Sequence, residues 1–484
     1  MNYYSTRDDS LRLTASAAIL QGISAEGGLF VPETFPQVEL SALKGLRYPA
    51  LAAKILGLYL TDYSAEFLAR AAETCYGTAF GAEAAKTVKV RDGLYSLELW
   101  HGPTCAFKDY ALQLMPHLLV EAKRIQKDAS RTLILVATSG DTGKAALEGY
   151  KNLPGIEIAV FYPESGTSET QRLQMVTQEG DNVHVYAVKG NFDDAQTGVK
   201  RVFTDKAFAA EMAQKNCHLT SANSINWGRL APQIVYYFAS YLSLVEKGEI
   251  AEGETVDFCV PTGNFGDILA GYYAKRMGLP VGRLICASNS NRILTDFGES
   301  GIYDAAREFY KTSSPSMDIL VSSNLERLLF HKSADAKAVA QLMTSLAGEA
   351  KKYEVTKELK KAISEDFLFG ACEEAECFAT LAEIYGEDHY LADPHTAVAL
   401  EVAKRQKGNA PCVVLSTANP YKFSAAVLAA LGETPTESDM ANIEALHALT
   451  GEPVPAPLAE LSRKQTRFDE TICPEDILRT ARSL

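Results

Sequence analysis

One lysine lies in a short segment whose neighbours suit covalent chemistry. Residues 101–109 read HGPTCAFKD, and Lys108 follows the apolar stretch at residues 95–100 after a short loop that contains Gly102 and Pro103. An amine in such a loop can meet a bound carbonyl compound. Most lysines beside an aspartate are solvated surface residues, so this segment alone leaves both interpretations open.

A glycine-containing loop with the sequence PTGNFGD occupies residues 261–267, between an apolar β-branched run and a helical pattern. Its two glycines allow backbone N–H groups to turn toward an anion at the positive end of that helix. The pattern predicts a phosphate cup, and an ordinary strand-to-helix turn is the alternative.

Residues 137–144, ATSGDTGK, have the same strand–loop–helix context, with three hydroxyls and two glycines among them. Backbone and hydroxyl donors in such a loop can surround a carboxylate. The segment is a poor match to a nucleotide-binding P-loop, which requires glycine in place of Thr138 and serine or threonine in place of Ala145.

Two further segments carry donors at the ends of predicted elements. Residues 221–230, SANSINWGRL, combine asparagines and serines with Arg229, whose guanidinium could hold a phosphate in a bidentate fork. Residues 416–420, STANP, follow the last predicted strand, where a hydroxyl could hydrogen-bond a ring nitrogen. A helix-capping cluster and a simple turn are the respective alternatives.

The elements that must position these loops alternate between strands and helices. Strands buried on both faces are predicted at 132–137, 157–162, 183–188, 256–260, 283–287 and 412–415, and helices at 143–151, 195–215, 229–247, 267–277 and 396–405. This order predicts an α/β protein with two parallel-sheet lobes and a cleft between them. We expect a mainly helical N-terminal unit at 1–90, a catalytic region at 91–450 with a smaller lobe at about 106–220, and an extended tail at 451–484.

Composition excludes several classes of function. The chain has 484 residues and a net charge of −14, without a basic cluster that would favour nucleic acid or acidic membranes. The N-terminus does not read as a signal peptide, and the apolar stretch at 234–245 is too short to span a bilayer, so a soluble cytoplasmic protein is expected. The nine cysteines form no C-x-x-C pair and the eight histidines no zinc motif, which favours free thiols and no metal.

Taken together, these segments resemble the threonine synthases, pyridoxal-phosphate enzymes of the tryptophan-synthase-β fold type (fold type II), and among them the longer bacterial and fungal branch. The matching segments follow in the family's order along nearly the whole chain, at residues 4–7, 22–32, 101–109, 138–143, 223–229, 263–267, 314–318 and 417–423.

The resemblance implies a cofactor site. Lys108 would carry pyridoxal 5'-phosphate covalently, and Thr417, or less well Ser416, would meet its pyridine nitrogen. Asp141 stands near the cofactor's phenolic oxygen, where shorter relatives carry asparagine. The cofactor's phosphate would be held by Gly263, Asn264, Phe265, Gly266 and Asp267.

The resemblance also implies a substrate, O-phosphohomoserine, which is converted with water to threonine and phosphate. Its carboxylate would lie against the loop formed by Ser139, Gly140 and Thr142. Its phosphate would be bound by Thr142, Ser224 and Arg229, with Asn264 as a further donor. Lys108 would be the base, and Lys144 either an additional cation or a solvated residue.

Other functions stay open at this stage. Another fold type II lyase, such as a threonine dehydratase or an amino-acid phospho-lyase, would share most of these residues, and a catalytically silent binding protein would share the fold. The expected partner is a small molecule rather than nucleic acid or a membrane. The sequence does not distinguish a monomer from a homodimer.

Overall fold

The computed structural model describes all 484 residues. Its strands are β1 (Tyr3–Ser5), β2 (Phe30–Pro32), β3 (Lys86–Arg91), β4 (Leu94–Glu98), β5 (Arg131–Ala137), β6 (Ile156–Pro163), β7 (Val183–Val188), β8 (Cys217–Thr220), β9 (Val256–Pro261), β10 (Val281–Ser288), β11 (Ile302–Asp304), β12 (Lys352–Glu354), β13 (Phe367–Ala371), β14 (Cys412–Ser416) and β15 (Thr471–Ile472).

Helices fill most of the chain between these strands. They are α1 (Ala15–Gln21), α2 (Tyr48–Tyr59), α3 (Ala65–Tyr76), α4 (Asp109–Leu112), α5 (Met115–Gln126), α6 (Asp141–Tyr150), α7 (Glu169–Val176), α8 (Phe192–Thr204), α9 (Lys206–Gln214), α10 (Trp227–Glu246), α11 (Gly266–Arg276), α12 (Ile293–Ser300), α13 (Leu325–Ser333), α14 (Ala336–Ala347), α15 (Lys357–Ser364), α16 (Glu374–Asp388), α17 (Pro394–Arg405), α18 (Ser424–Ala430), α19 (Asp439–Thr450), α20 (Ala456–Ala459) and α21 (Ile477–Ser483). None of them is both long enough and apolar enough to cross a bilayer.

Two larger sheets form the frame. One has six strands in the order β13-β10-β9-β14-β4-β3, all parallel except for the antiparallel edge strand β3. The other has five parallel strands in the order β15-β7-β6-β5-β8. The predicted α/β class with two parallel-sheet lobes is therefore confirmed.

The six predicted strands and the predicted helices are all present, with bounds that differ by at most two residues, except in one place. The single helix predicted at 195–215 is two helices, α8 and α9. Asp205 separates them because its backbone is extended there and its side chain accepts a hydrogen bond from Phe208 N, which starts the second helix.

The first ninety residues contain α1, α2 and α3, as expected from a mainly helical unit, together with the small antiparallel pair β1 and β2. This unit packs on the catalytic region through an aromatic cluster. Tyr3 and Tyr59 lie 5.4 Å, ring centroid to centroid, from Trp227 at the start of α10. Tyr3 also donates a hydrogen bond to the carbonyl of Tyr59, so the buried phenol is satisfied.

Residues 451–484, expected as an extended tail, carry regular structure. Strand β15 adds to the edge of the smaller sheet, pairing in parallel with β7. Ile472, Ile477 and Ala481 are buried in the core of that lobe. These spaced apolar residues bury surface against α8, and this burial outweighs the tendency of the proline-rich stretch before them to remain extended.

All nine cysteines are free thiols, as the sequence predicted. Six of them are buried, and four of these lie in strands or helices of the core: Cys75, Cys259, Cys286 and Cys377.

Two helical glycines give a matched test of packing. A Cβ atom at Gly149 on α6 would overlap the carbonyl oxygen of Leu112 at the end of α4, whereas one at Gly386 on α16 would meet nothing within 4 Å. Gly149→Ala should lower the free energy of unfolding by about 1–3 kcal/mol because the two helices must move apart. Gly386→Ala should raise it by about 0.5–1 kcal/mol. Denaturant unfolding of both variants measures the contrast, and equal effects would contradict this account of the α4–α6 contact.

Candidate active site

Lys108 lies directly before α4, in the interior between the two sheets' loops. Its side chain is 11% exposed, and its Nζ is 3.7 Å from Asp141 Oδ2 and donates a hydrogen bond to Ser316 Oγ at 3.3 Å. The amine also lies 4.7 Å from the centroid of the Phe107 ring. Burial lowers the pKa of the amine more than the nearby Asp141 carboxylate raises it.

The loop before this lysine is fixed at both ends. Asp109 accepts hydrogen bonds from the Thr104 backbone N–H at 2.8 Å and from its hydroxyl at 2.7 Å. Phe107 N donates to the carbonyl of Thr417, which joins the loop to the end of β14. Burial raises the pKa of Asp109 to about 6 despite these donors.

Asp141 begins α6 and is fully enclosed. Its Oδ1 forms an ion pair with Lys422 Nζ at 2.6 Å and accepts a hydrogen bond from Gln171 Nε2 at 3.0 Å, while Oδ2 has no hydrogen-bond partner and is turned to Lys108. Burial by itself would raise the pKa of this carboxyl. The Lys422 and Lys108 ammonium groups lower it by more than burial raises it, so the pKa lies well below its usual range.

The loop between β5 and α6 wraps around one hydroxyl. Thr138 Oγ1 accepts hydrogen bonds from the backbone N–H groups of Gly140 and Gly143 at 3.0 and 3.1 Å. Gly140 has φ of +154°, and a Cβ there would overlap the Gln171 side chain, so glycine is required. Ser139 and Thr142 flank Asp141 in this loop, and their assignment to the substrate carboxylate stays a prediction.

The glycine loop predicted to hold phosphate joins β9 to α11. None of the backbone N–H groups of residues 263–267 donates a hydrogen bond to an acceptor within the protein. Phe265 adopts the left-handed conformation, with φ of +62°, immediately before the helix begins at Gly266. A Cβ at Gly263 would lie 2.5 Å from the carbonyl oxygen of Ser316, the residue that contacts Lys108. This cluster of free donors at a helix N-terminus is suited to an anion.

Asp267 lies in the first turn of that helix. Its Oδ1 accepts hydrogen bonds from the hydroxyls of Tyr236 and Tyr237. Burial raises the pKa of this carboxyl to about 7. A carboxyl that is held by two phenols on α10 positions the helix, and a direct contact with the cofactor's phosphate remains a prediction.

Arg229 is a buried cation without a carboxylate partner. It lies in the first turn of α10, where Asn226 caps the helix by accepting from Gly228 N. Its Nη1 donates to the carbonyl of Ala222, and its Nε has no partner although it is buried. Burial lowers the pKa of this guanidinium to about 10. A buried, incompletely bonded guanidinium is costly in an empty protein core and is typical of an anion site.

A bridging pair that sequence reasoning missed joins the two anion-binding loops. Asn324 Nδ2 donates to the carbonyl of Asn264 at 3.0 Å and lies 3.3 Å from the carbonyl oxygen of Ser224. Arg327, which is fully buried, binds Asn324 Oδ1 and the carbonyls of Phe30 and Ile225. Through this pair the N-terminal unit and both loops are held in one arrangement. Nothing in the spacing of these residues indicated the role.

The two hydroxyls considered for the pyridine nitrogen differ in their contacts. Ser416 Oγ already accepts hydrogen bonds from Trp100 Nε1 and Thr396 Oγ1, both at 3.0 Å. The Thr417 hydroxyl takes part in none of the protein's hydrogen bonds, although the residue is 6% exposed. The arrangement therefore favours Thr417 as the free hydroxyl.

A histidine that the sequence analysis passed over supports Ser316. His395 Nε2 accepts a hydrogen bond from Ser316 N at 3.1 Å, and its Nδ1 lies 2.6 Å from Asp393 Oδ2. These contacts assign the proton of the neutral imidazole to Nδ1, because Nε2 acts as an acceptor. The pair holds in place the segment against which Lys108 rests.

Lys144, the tempting extra cation, lies outside this group. Its Nζ is 3.2 Å from Glu148 Oε2 and binds Gln178 Oε1, in a pocket of about 210 Å³ that the C-terminal residues help to line. The Glu148 carboxylate balances the charge of Lys144. The structure therefore places Lys144 in that pocket and not with Lys108.

The charge balance of the site is positive. Lys108, Lys422 and Arg229 are three buried cations, and Asp141 is the one buried carboxyl beside them with a lowered pKa. The two other buried carboxyls described above have pKa values raised by burial, so each carries less negative charge at neutral pH than an exposed carboxylate would. Such a site binds anionic groups despite the net charge of −14 of the whole chain.

Three family models match consecutive parts of the chain. They are described as "Threonine synthase N terminus" at residues 2–76, "Pyridoxal-phosphate dependent enzyme" at residues 82–417, and "Threonine synthase, C-terminal" at residues 396–477.

Curated relatives fall into two groups by length. The human protein named Threonine synthase-like 1 is 40% identical over 485 residues, which cover 96% of this chain but 64% of that protein. The chain therefore spans just under two thirds of the length of such relatives. The threonine synthase of Pseudomonas aeruginosa is 39% identical over 486 residues, 99% of this chain and 96% of that protein.

Solved structures of similar proteins cover the whole chain. A pyridoxal-phosphate-bound threonine synthase from Brucella melitensis superposes with a TM-score of 0.89 at 38% identity, covering 100% of this chain and 99% of that one. Yeast threonine synthase gives a TM-score of 0.88 at 33% identity, covering 100% and 98%.

Proposed function

The chain belongs to the threonine synthase family, and from this premise we propose that it converts O-phospho-L-homoserine and water to L-threonine and phosphate with pyridoxal 5'-phosphate as its cofactor. The observation that carries the proposal is the meeting of a buried lysine, a loop of free backbone donors and an unpaired buried arginine in one site.

The residues present fit the cofactor. The unpartnered N–H groups of residues 263–267 suit its phosphate, and Lys108, with a lowered pKa, suits its aldehyde. The free hydroxyl of Thr417 suits its ring nitrogen, and the unpartnered Oδ2 of Asp141 faces the lysine. When bound, pyridoxal phosphate supplies an aldehyde that captures amines and a conjugated ring that spreads the electron pair released on loss of a proton from the substrate.

Lys108 is the proton-transfer residue in this proposal. A buried amine with a lowered pKa is uncharged for a larger fraction of the time than a surface lysine, and only the uncharged amine can accept a proton. The reaction removes protons from the α- and β-carbons, breaks the bond between the γ-carbon and the phosphate ester oxygen, adds the oxygen of water to the β-carbon, and returns protons to the γ- and α-carbons. One amine close to these carbons serves as both base and acid.

Arg229 and the loop around Ser139 orient the substrate. Arg229 offers Nε, which has no partner within the protein, to the substrate phosphate, with Ser224 and Thr142 as hydroxyl donors. The substrate carboxylate would lie against Ser139 and Gly140. Two anionic groups bound at opposite ends of a short amino acid place the carbons between them beside the lysine.

Product analysis tests the proposal. The purified protein with O-phosphohomoserine should release threonine and inorganic phosphate in equal amounts. Release of phosphate with 2-oxobutanoate would instead identify a phospho-lyase of the same fold. A colourless protein that releases neither product would indicate a silent binding protein and contradict the proposal.

Several narrower expectations stay predictions alongside this function. They are the cytoplasmic location, the absence of nucleic-acid and membrane partners, the choice between a monomer and a homodimer, and the boundaries drawn near residues 90 and 450.

A further inference from the structure

We propose that Lys422 is a second functional lysine of this site, which fixes Asp141 as a charged carboxylate against the amine of Lys108. Lys422 does not contact Lys108 itself. It acts through Asp141 and is therefore a positioning residue. The sequence assigns it no role, and the proposed reaction does not use it.

The burial of Lys422 is the first observation. Its side chain is fully enclosed, in the short 3-10 turn Pro420–Phe423 that follows β14. Its Nζ has two partners, Asp141 Oδ1 at 2.6 Å and the carbonyl of Thr104 at 3.0 Å. A lysine in such a place exposes no charge to solvent, so its favourable interactions must come from these two groups.

The second observation is that the two carboxylate oxygens of Asp141 have different contacts. Oδ1 is occupied by Lys422 and Gln171, whereas Oδ2 has no hydrogen-bond partner and lies 3.7 Å from Lys108 Nζ. The cation on one side holds the carboxylate ionised, and the orientation of the group directs its second oxygen to the reactive amine.

The third observation is that Lys422 also contacts the loop that ends in Lys108. Thr104, whose carbonyl binds Lys422, belongs to the loop that ends in Lys108, and its own N–H and hydroxyl bind Asp109. Lys422 thus holds both the carboxylate and the loop that presents the amine. An apolar residue of similar size would fill the pocket and supply neither attraction.

The two neighbours of Lys108 affect it in opposite directions. The Asp141 carboxylate raises the pKa of the amine, and the Lys422 ammonium lowers it. The other charged groups that face the amine are Arg229 on α10, Asp109 on α4 and Asp267 on α11. These three remain the same in every variant considered below.

The charges predict a cycle of substitutions with opposite signs. Lys422→Met removes a repulsion, while the Lys108 ammonium, 3.7 Å from Asp141 Oδ2, still keeps that carboxylate ionised and attractive, so the pKa of Lys108 should rise. Asp141→Asn removes the attraction and leaves the repulsion of Lys422, so the pKa of Lys108 should fall. The double variant Asp141→Asn/Lys422→Met replaces an ion pair by neutral groups and should return the pKa close to its original value.

Trace labelling with acetic anhydride across a pH series, followed by peptide mass spectrometry, reports the titration of each lysine in the full chain without its cofactor. This measurement needs neither the cofactor nor the proposed reaction, so its failure and the failure of the proposed function are separate results. Lys144→Met is the matched control, because Lys144 lies on α6 with Asp141 and is buried but pairs with Glu148. It should leave the titration of Lys108 unchanged.

Thermal unfolding and circular dichroism check each variant. If Lys422→Met does not fold, Lys422→Gln keeps a donor for the two oxygens without the charge and should raise the pKa in the same way. Asp141→Asn tests the contact from the other side. The proposal is overturned if the folded Lys422 variants titrate at Lys108 as the unmodified chain does, or if the two single substitutions shift it in the same direction.

Discussion

Lys108→Ala should abolish the visible absorbance of the lysine-bound cofactor and lower the rate of threonine formation by at least about a thousandfold. The reason is that one amine is assigned both the covalent attachment and the proton transfers. The substitution also removes a desolvated cation from a buried position, so the protein should remain folded. Absorbance spectra and steady-state rates of the purified variant measure the two losses.

Lys144→Ala is the matched control for this experiment. Lys144 is also a buried lysine with a pKa lowered by burial, but its partners are Glu148 and Gln178. It should keep the absorbance of the unmodified protein. A Lys108→Ala protein with unreduced activity would show that another group performs the chemistry.

Arg229→Met should lower kcat/KM for the phosphorylated substrate by at least about thirtyfold. The reason is that a buried guanidinium and a phosphate dianion form a strong charge-assisted contact. The same substitution should leave the unliganded protein as stable as before, or more stable by about 1 kcal/mol, because Arg229 has no carboxylate partner to lose. A residue whose removal weakens ligand binding while it stabilises the empty protein is held there for function.

The phosphate dependence of the effect is the internal control. A phosphonate analogue of the substrate should bind Arg229→Met much less tightly, while homoserine, which lacks the phosphate, should bind both proteins alike. Equal losses for the two ligands would place Arg229 elsewhere than at the phosphate. Arg124 is an exposed arginine on α5 that pairs with Glu121. Arg124→Ala should change neither the binding of the phosphonate analogue nor that of homoserine.

The elements of this fold were predictable where apolar β-branched runs are uninterrupted. The strands β5, β6, β9, β10 and β14 are mostly buried on both faces, and β7 has one buried and one half-buried face, so their apolar β-branched composition reveals them. The edge strand β3 alternates charged and partly exposed residues, and short β13 lies in a region read as neither strand nor helix. Such strands form because a neighbouring strand offers a partner, which is a tertiary effect that the local sequence does not carry.

The residues of the site likewise fall into those that a local sequence pattern indicated and those that only the fold brings together. Lys108, Arg229 and the glycine loop stand in recognisable local patterns, and the resemblance to a family supplied their roles. Lys422 lies in the matching segment 417–423, which indicated no role for it, and Asn324 and His395 lie in no matching segment. Each acts across a long separation in sequence, as when Lys422 binds Thr104, 318 positions away, so only the folded chain reveals it.

Borohydride reduction of the protein with its bound cofactor, followed by proteolysis and mass spectrometry, tests the central claim most directly. Two buried lysines lie beside Asp141, and the geometry gives them different roles. The account predicts a reduced pyridoxyl group on Lys108 alone. A group on Lys422 or on any other lysine, or no modified peptide at all, would contradict it.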